Sequence, residues 1–135
     1  MILHAGLIAR YDAGGWRGVM IEGPSGAGKS DLALRCLGVG FRLVADDRVL
    51  IWRSGGRLFG RAPDSLAGLM EVRSLGVLPT PALPFAPIVL AVRPGQGERL
   101  PDRETVTHPE VELPCITPAP LSNRAPAKPS PPPAR

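Results

Sequence analysis

Short apolar runs of strand length alternate with glycine-rich turns through the first two thirds of the chain. The runs at residues 2–9 and 18–22 flank turn residues at 11–16, which predicts a hairpin or two adjacent strands. Further runs at 41–45 and 88–92 predict buried strands, and 111–116 predicts a weaker one. This order of elements is typical of one sheet with little helical cover.

One segment has helical spacing instead. Its apolar residues Leu32, Ala33, Cys36 and Leu37 fall at i, i+1, i+4 and i+5, which predicts a helix over 29–37. Gly38 follows and is expected to end it.

Farther along, residues 49–53 and 57–60 surround Gly55-Gly56, which predicts a second hairpin. Residues 64–70 predict a helical turn, and 71–78 an extended segment.

Proline divides the chain, because 15 of its 17 prolines lie at residue 79 or later. Residues 79–87 hold four of them and are expected to form a loop, since proline cannot donate to a strand ladder. We therefore predict one domain at 1–117 and a proline-rich, disordered or polyproline-like tail at 118–135. The alternative for the tail is a proline-rich ligand for an SH3-type partner.

Size, charge and cysteine content limit the classes of function that are possible. A chain of 135 residues has room for one modest core, and only six residues are aromatic. The net charge of +4 suits an anionic partner, but the arginines are spread singly, which argues against nucleic acid. Cys36 and Cys115 lack metal-site spacing. No stretch predicts a signal peptide or a membrane span, so the expected location is the cytoplasm.

Residues 23–30 match the phosphate-loop pattern G-x-x-x-x-G-K-[ST] without a mismatch. The motif follows a predicted strand and opens a predicted helix, so its N–H groups would face a nucleotide's phosphates. Lysine is rare in this chain, yet Lys29 stands where the motif needs a cation for the β- and γ-phosphates. The Ser30 hydroxyl is expected to bind Mg²⁺. The predicted nucleotide-binding residues are Gly23, Pro24, Ser25, Gly26, Ala27, Gly28, Lys29 and Ser30.

Carboxylates follow the strand predicted after this helix. Asp46 and Asp47 come at its carboxyl end, where ligands gather in open α/β sheets, so one of them is expected to organise Mg²⁺ or accept a proton. The alternative is a simple Asx turn. Glu71 and Arg73 can share one strand face, where they would serve Mg²⁺ and phosphate or pair with each other. His4 alone carries little weight.

Together the runs GPSGAGKS, DLALRCLGVGFRLVADDRV and EVRSLGV resemble the catalytic domain of the HPr kinase/phosphorylase family. LHAG around His4 is similar to the histidine segment that precedes the family's phosphate loop. The resemblance covers roughly residues 2–117 and looks like the short form found in some proteobacteria, without the extra N-terminal domain. It implies an α/β P-loop domain related to phosphoenolpyruvate carboxykinase, and a hexamer.

The resemblance also implies a function: an ATP- and Mg²⁺-dependent serine kinase acting on the phosphocarrier HPr. Asp47 matches the family's general base and Lys29 its phosphate-binding lysine. Ser30 and Glu71 match the positions linked to Mg²⁺, with Asp46 beside them. His4 matches the active-site histidine, and Arg99, in GERLP, is similar to a catalytic arginine.

Two departures from the family pattern matter. Ser74 stands where the signature has glycine, which is expected to restrict the backbone there. The family's arginine- and glycine-rich second loop, used in removing phosphate, corresponds to TPAPLSN, which has no arginine. We therefore expect kinase activity, and this loop gives no support for phosphorylase activity. The alternatives are a non-catalytic ATP-sensing module that binds an HPr-like partner, and a small-metabolite kinase.

Overall fold

The computed structural model describes residues 1–24, 28–72 and 74–94, and the backbone of two strands at 102–107 and 112–117. These residues form eleven strands, one α-helix and one 3₁₀ turn. In chain order they are β1 (Ile2–Leu3), β2 (Ala5–Asp12), β3 (Gly15–Glu22), α1 (Lys29–Leu37), β4 (Arg42–Ala45), β5 (Val49–Ser54), β6 (Arg57–Arg61), the 3₁₀ turn (Asp64–Leu66), β7 (Leu69–Val72), β8 (Gly76–Pro79), β9 (Ala86–Val92), β10 (Asp102–Thr107) and β11 (Glu112–Thr117).

Nine of the strands form one mixed sheet. Seven run in the order β1-β5-β6-β9-β3-β2-β4, while β11 pairs with the end of β9 and carries β10 on its other side. β7 and β8 form a separate two-stranded hairpin. Within this sheet the β3–β9 and β9–β11 pairs are parallel, and the other pairs are antiparallel.

Most of the expected elements are confirmed. The helix spans Lys29–Leu37 as predicted, and both hairpins form, the second around Gly55 and Gly56. The first turn is shorter than expected: only Ala13 and Gly14 separate β2 from β3. The strands extend into the predicted turn because Tyr11 and Trp16 pair across it, their ring centroids 5.4 Å apart.

Two expectations were wrong in detail, and one strand was not predicted. Residues 71–78 form no single extended segment, because the chain reverses around Ser74 and folds back as β8. Residues 79–87 are only partly a loop: Pro79 ends β8, and β9 begins at Ala86. Finally, β10 was not predicted, since proline and charged residues surround it. The predicted boundary at 117 and the tail at 118–135 stay predictions, because the tail lies outside the described residues.

The core lies on both faces of the sheet. Along β3, Val19 and Ile21 belong to one buried cluster and Met20 to another, as the pleat of a strand requires. Ala33 of α1 packs into the first cluster, with Leu32, Cys36 and Leu37 beside it. The helix that follows the phosphate loop is therefore held firmly against the sheet.

The register brings several chain segments to one edge of the sheet, here called the loop edge. β2 begins there, with Ala5 opposite Glu22 at the end of β3. β4 ends there, with Ala45 opposite Leu7, and β9 ends there, with Val92 beside Ile21. Residues that follow β3, β4 and β9, or precede β2, are consequently neighbours.

Candidate functional site at the loop edge

The phosphate loop leaves β3 at the loop edge and returns as α1. Gly23, with φ of 144°, turns the chain out of the strand, and Gly28, with φ of 92°, caps the helix in the left-handed region. The carbonyl of Gly28 accepts the first helical bond, from the N–H of Leu32 at 3.0 Å. Residues with a side chain rarely adopt such a φ, so glycine is required at both positions. Ser25, Gly26 and Ala27 lie outside the described residues, and Pro24 is exposed.

Lys29 closes the loop. Its side chain is 8% exposed, and its Nζ donates a 2.5 Å hydrogen bond to the carbonyl oxygen of Gly23. A buried ammonium needs partners of opposite polarity. The loop therefore holds this cation across its own mouth, between the end of β3 and the start of α1.

Asp46 links three elements. It is 7% exposed, and its Oδ1 accepts a 2.9 Å hydrogen bond from Ser30 Oγ on α1. Its Oδ2 accepts a 2.9 Å bond from the backbone N–H of Glu71 on β7. Both carboxylate oxygens thus accept hydrogen bonds, and the bond to Asp46 orients the hydroxyl of Ser30.

Asp47 differs from its neighbour. It is exposed and adopts a φ of 72°, a left-handed conformation that aspartate tolerates better than most residues. Its Oδ2 lies 4.0 Å from Nε of Arg48, and both side chains are more than half exposed. The adjacent acids therefore have separate environments: Asp46 is buried and hydrogen-bonded, and Asp47 is exposed to solvent.

The remaining predicted residues are placed unequally. His4 is exposed at the bend before β2, and the register sets it next to the start of the loop. Glu71 reaches the site through its backbone N–H, while its side chain is exposed. Arg73 and Arg99 lie outside the described residues, so their roles stay predictions.

Sequence reasoning missed one pair at the same edge. Nε of Arg93 donates a 3.2 Å hydrogen bond to Oε1 of Glu22, whose side chain is 13% exposed. Glu22 ends β3, and Arg93 directly follows β9. Both strand ends could be predicted from the apolar runs, but their parallel pairing could not.

The oxygen donors fit a hard divalent cation. Ser30 Oγ and the Asp46 carboxylate are in direct contact, and Mg²⁺ is commonly bound through one or two protein oxygens plus substrate phosphates. Within the described parts of the chain, no group of three His, Cys, Asp or Glu side chains forms a closed metal site.

The end of β3, the buried Lys29 at the start of α1, and the strand-end Asp46 bonded to Ser30 have the arrangement of a phosphate-loop domain. The comparison with protein-family models refines this class, because residues 2–83 match the HPr Serine kinase C-terminal domain. The match covers more than half of the chain. The chain therefore belongs to this family, as its resemblance predicted.

Individual relatives agree with the family. The HPr kinase/phosphorylase of Clostridium tetani is 43% identical over 81 residues, which are 60% of this chain and 25% of that protein. The protein of the same name from Mycoplasma genitalium is 48% identical over 61 residues, 45% of this chain and 20% of the relative. The chain thus spans about a quarter or less of the length of these relatives.

A solved structure supports the fold. The Hpr(Ser) kinase/phosphatase from Coxiella burnetii superposes with a TM-score of 0.79, over 91% of this chain and 87% of that one, at 22% sequence identity. The predicted α/β fold of this kinase family is confirmed. Among the described residues, no helix has the length and hydropathy needed to cross a membrane.

Proposed function

We propose that the chain is an ATP- and Mg²⁺-dependent protein kinase that phosphorylates a serine of HPr or an HPr-like phosphocarrier. The observation that carries the proposal is the 2.9 Å hydrogen bond between Ser30 Oγ and Asp46 Oδ1. It couples the phosphate loop to a strand-end carboxylate, which is how phosphoryl-transfer domains assemble the site for a nucleotide's metal. Membership of the HPr serine kinase family supports HPr or a related phosphocarrier as the substrate.

Catalysis would consist mainly of positioning and charge neutralisation. The loop N–H groups and Lys29 would hold the phosphates, with the ammonium leaving Gly23 to face the β- and γ-oxygens. Mg²⁺, when bound by Ser30 and Asp46 with help from Glu71, would neutralise charge on the same oxygens. Asp46 has both carboxylate oxygens hydrogen-bonded, so it would orient its neighbours and take no proton.

Asp47 is the proposed general base. Its exposure and its position at the end of β4 suit contact with a serine on another protein. The carboxylate would accept the hydroxyl proton as the serine oxygen attacks the γ-phosphorus and ADP leaves. His4 and Arg99 are the remaining proposed catalytic residues, because they match the family's active-site histidine and catalytic arginine. A homo-oligomer, hexameric by family resemblance, is part of the same proposal.

Transfer of label from γ-labelled ATP to purified HPr tests this function. Wild type, Lys29→Ala and Asp47→Asn are compared in parallel, and the labelled residue is identified. Label on a serine, lost in both variants, supports the kinase and both roles. Transfer by Asp47→Asn at the wild-type rate would remove Asp47 as the base.

A second candidate is a non-catalytic module that senses ATP and binds an HPr-like partner. Residues 117–123, TPAPLSN, favour it, because they lack the arginines of the family's second loop. Tight Mg²⁺-dependent ATP binding without transfer to HPr would select this candidate. Transfer that depends on Lys29 would exclude it.

A further inference from the structure

Glu22 and Arg93 form an ion pair at the mouth of the phosphate loop. Glu22 is the last residue of β3 and directly precedes Gly23, while Arg93 follows the end of β9. The strands run parallel with Ile21 beside Val92, so the two residues are lateral neighbours at the loop edge. Nε of Arg93 donates to Oε1 of Glu22 at 3.2 Å.

A carboxylate is an unexpected residue at this place. A nucleotide in the loop would bring several negative charges close to Glu22, and like charges at short range repel strongly where water is partly excluded. The Glu22 side chain is only 13% exposed, so solvent screens it poorly. The positive charge of Arg93 offsets this repulsion. The two residues must therefore be considered together.

The pair also fixes the direction of the guanidinium. Arginine has five N–H donors in a rigid plane, and a carboxylate bonded at Nε sets the orientation of that plane. The two Nη groups lie beyond Nε on the side chain, and planar forks of this kind match phosphate oxygens. The Arg93 side chain is 42% exposed, so an incoming anion can reach it.

Lys29 indicates which phosphate lies nearest. Its Nζ contacts the carbonyl of Gly23, the residue next to Glu22. In this loop motif the lysine reaches the β- and γ-phosphates. The terminal end of the nucleotide would thus lie on the β3 side of the loop, beside Arg93.

We propose that Arg93, oriented by Glu22, binds the terminal phosphoryl group of the nucleotide. Glu22 is then a positioning residue, and the pair lets the site distinguish a nucleoside triphosphate from a diphosphate. The inference rests on the proposed function, because it requires ATP in the loop.

The test measures dissociation constants for MgATP and MgADP by calorimetry on the full chain. Arg93→Gln is expected to weaken MgATP binding about tenfold, the scale of one charge-assisted hydrogen bond, and MgADP binding less than about twofold. Arg93→Lys keeps the charge without the fork and should fall between. Glu22→Gln should reduce the preference for ATP through lost orientation.

Arg61 supplies a matched control. It has the same side-chain exposure, 42%, and bonds the carboxylate of Asp64 at 3.0 Å, but it follows Gly60, which lies beside Ala86 at the start of β9, whereas Arg93 follows the end of β9. Arg61→Gln should leave both dissociation constants unchanged. A loss in Arg93→Gln that is equal for MgATP and MgADP, or no loss, overturns the inference.

The same series separates this inference from the proposed function. A wild type that binds MgATP and labels HPr, with an unchanged ATP-to-ADP preference in Arg93→Gln and Arg93→Lys, overturns the inference alone. A wild type that binds neither nucleotide overturns both. If Arg93→Gln does not fold, as judged by circular dichroism, the Arg93→Lys and Glu22→Gln preferences decide the matter.

Discussion

The backbone N–H of Glu71 donates a 2.9 Å hydrogen bond to Oδ2 of Asp46, a residue 25 positions earlier in the chain. This bond ties the β7–β8 hairpin, which is outside the main sheet, to the floor of the phosphate loop. The other oxygen of Asp46 holds Ser30. A single buried carboxylate thus links the loop, the main sheet and the hairpin.

Replacement of Asp46 should therefore lower the stability of the fold as well as its affinity for nucleotide. Asp46→Ala leaves the Ser30 hydroxyl and the Glu71 N–H without their acceptor, which we expect to lower the free energy of unfolding by about 1–3 kcal/mol. Asp64→Ala removes a carboxylate whose side chain is 95% exposed and should change it by less than about 0.5 kcal/mol. Urea denaturation of both variants checks this, and equal values would mean that Asp46 is not an anchor.

Ser74 is predicted to be a point of strain. It has φ of 76° in the turn from β7 to β8, where the N–H of Leu75 bonds the carbonyl of Val72 at 2.9 Å. A non-glycine residue pays about 1–2 kcal/mol in the left-handed region, partly offset by the greater chain entropy of glycine when unfolded. Ser74→Gly should accordingly raise the free energy of unfolding by about 0.5–1 kcal/mol.

The same substitution elsewhere is the control. Ser54 ends β5 without a positive φ, so Ser54→Gly should lower the free energy of unfolding by about 0.5–1 kcal/mol. Both values come from denaturant titrations with a common slope. Destabilisation by Ser74→Gly would mean that the turn is not strained.

Local features of this fold could be predicted because their causes are local. The helix after the loop follows from the spacing of Leu32, Ala33, Cys36 and Leu37, and the second hairpin from Gly55-Gly56. The candidate site at residues 23–30 followed from one motif, and the Asp46-Asp47 pair from its place at a strand end. Each of these inferences needed only a short window of sequence.

Long-range pairings could not be predicted. Nothing local indicates that β9 lies beside β3, and so the Glu22–Arg93 pair was missed. The turn at Ser74 was hidden because the apolar residues of 71–78 do not mark the reversal. Likewise, Glu71 was expected to act through its carboxylate, whereas its contact with Asp46 is made by its backbone.

Substitution of Gly18 tests the parallel β3–β9 pairing, which could not be predicted from the sequence. A Cβ built at this position would clash with the carbonyl oxygen of Pro87 on β9, so the backbone would have to move. We expect Gly18→Ala to lower the free energy of unfolding by about 2–3 kcal/mol through overpacking. Gly15→Ala on the same strand meets nothing within 4 Å and has no positive φ, so it should be nearly neutral. Similar melting temperatures for both variants would argue against the parallel β3–β9 register.

The Cys36 thiol provides a pH-dependent test of the helix–sheet contact. Burial raises the pKa of this thiol above its ordinary value of 9.0, because desolvation penalises the thiolate. Cys36 should then react slowly with iodoacetamide at pH 8, since the thiolate is the nucleophile. Because the pKa is higher in the folded chain, the unfolded chain loses its proton first, and stability falls as the pH rises above 9.0.

An exposed thiol near the same helix end is the comparison. Val39 is 49% exposed, so Val39→Cys in a Cys36→Ala background should be alkylated at least about tenfold faster at pH 8 than Cys36 in the wild type. Mass spectrometry assigns each modified site, which keeps Cys115 separate. Cys36→Ala should also remove part of the stability loss above pH 9.0. Equal alkylation rates at the two positions would show that α1 does not shield Cys36 against the sheet.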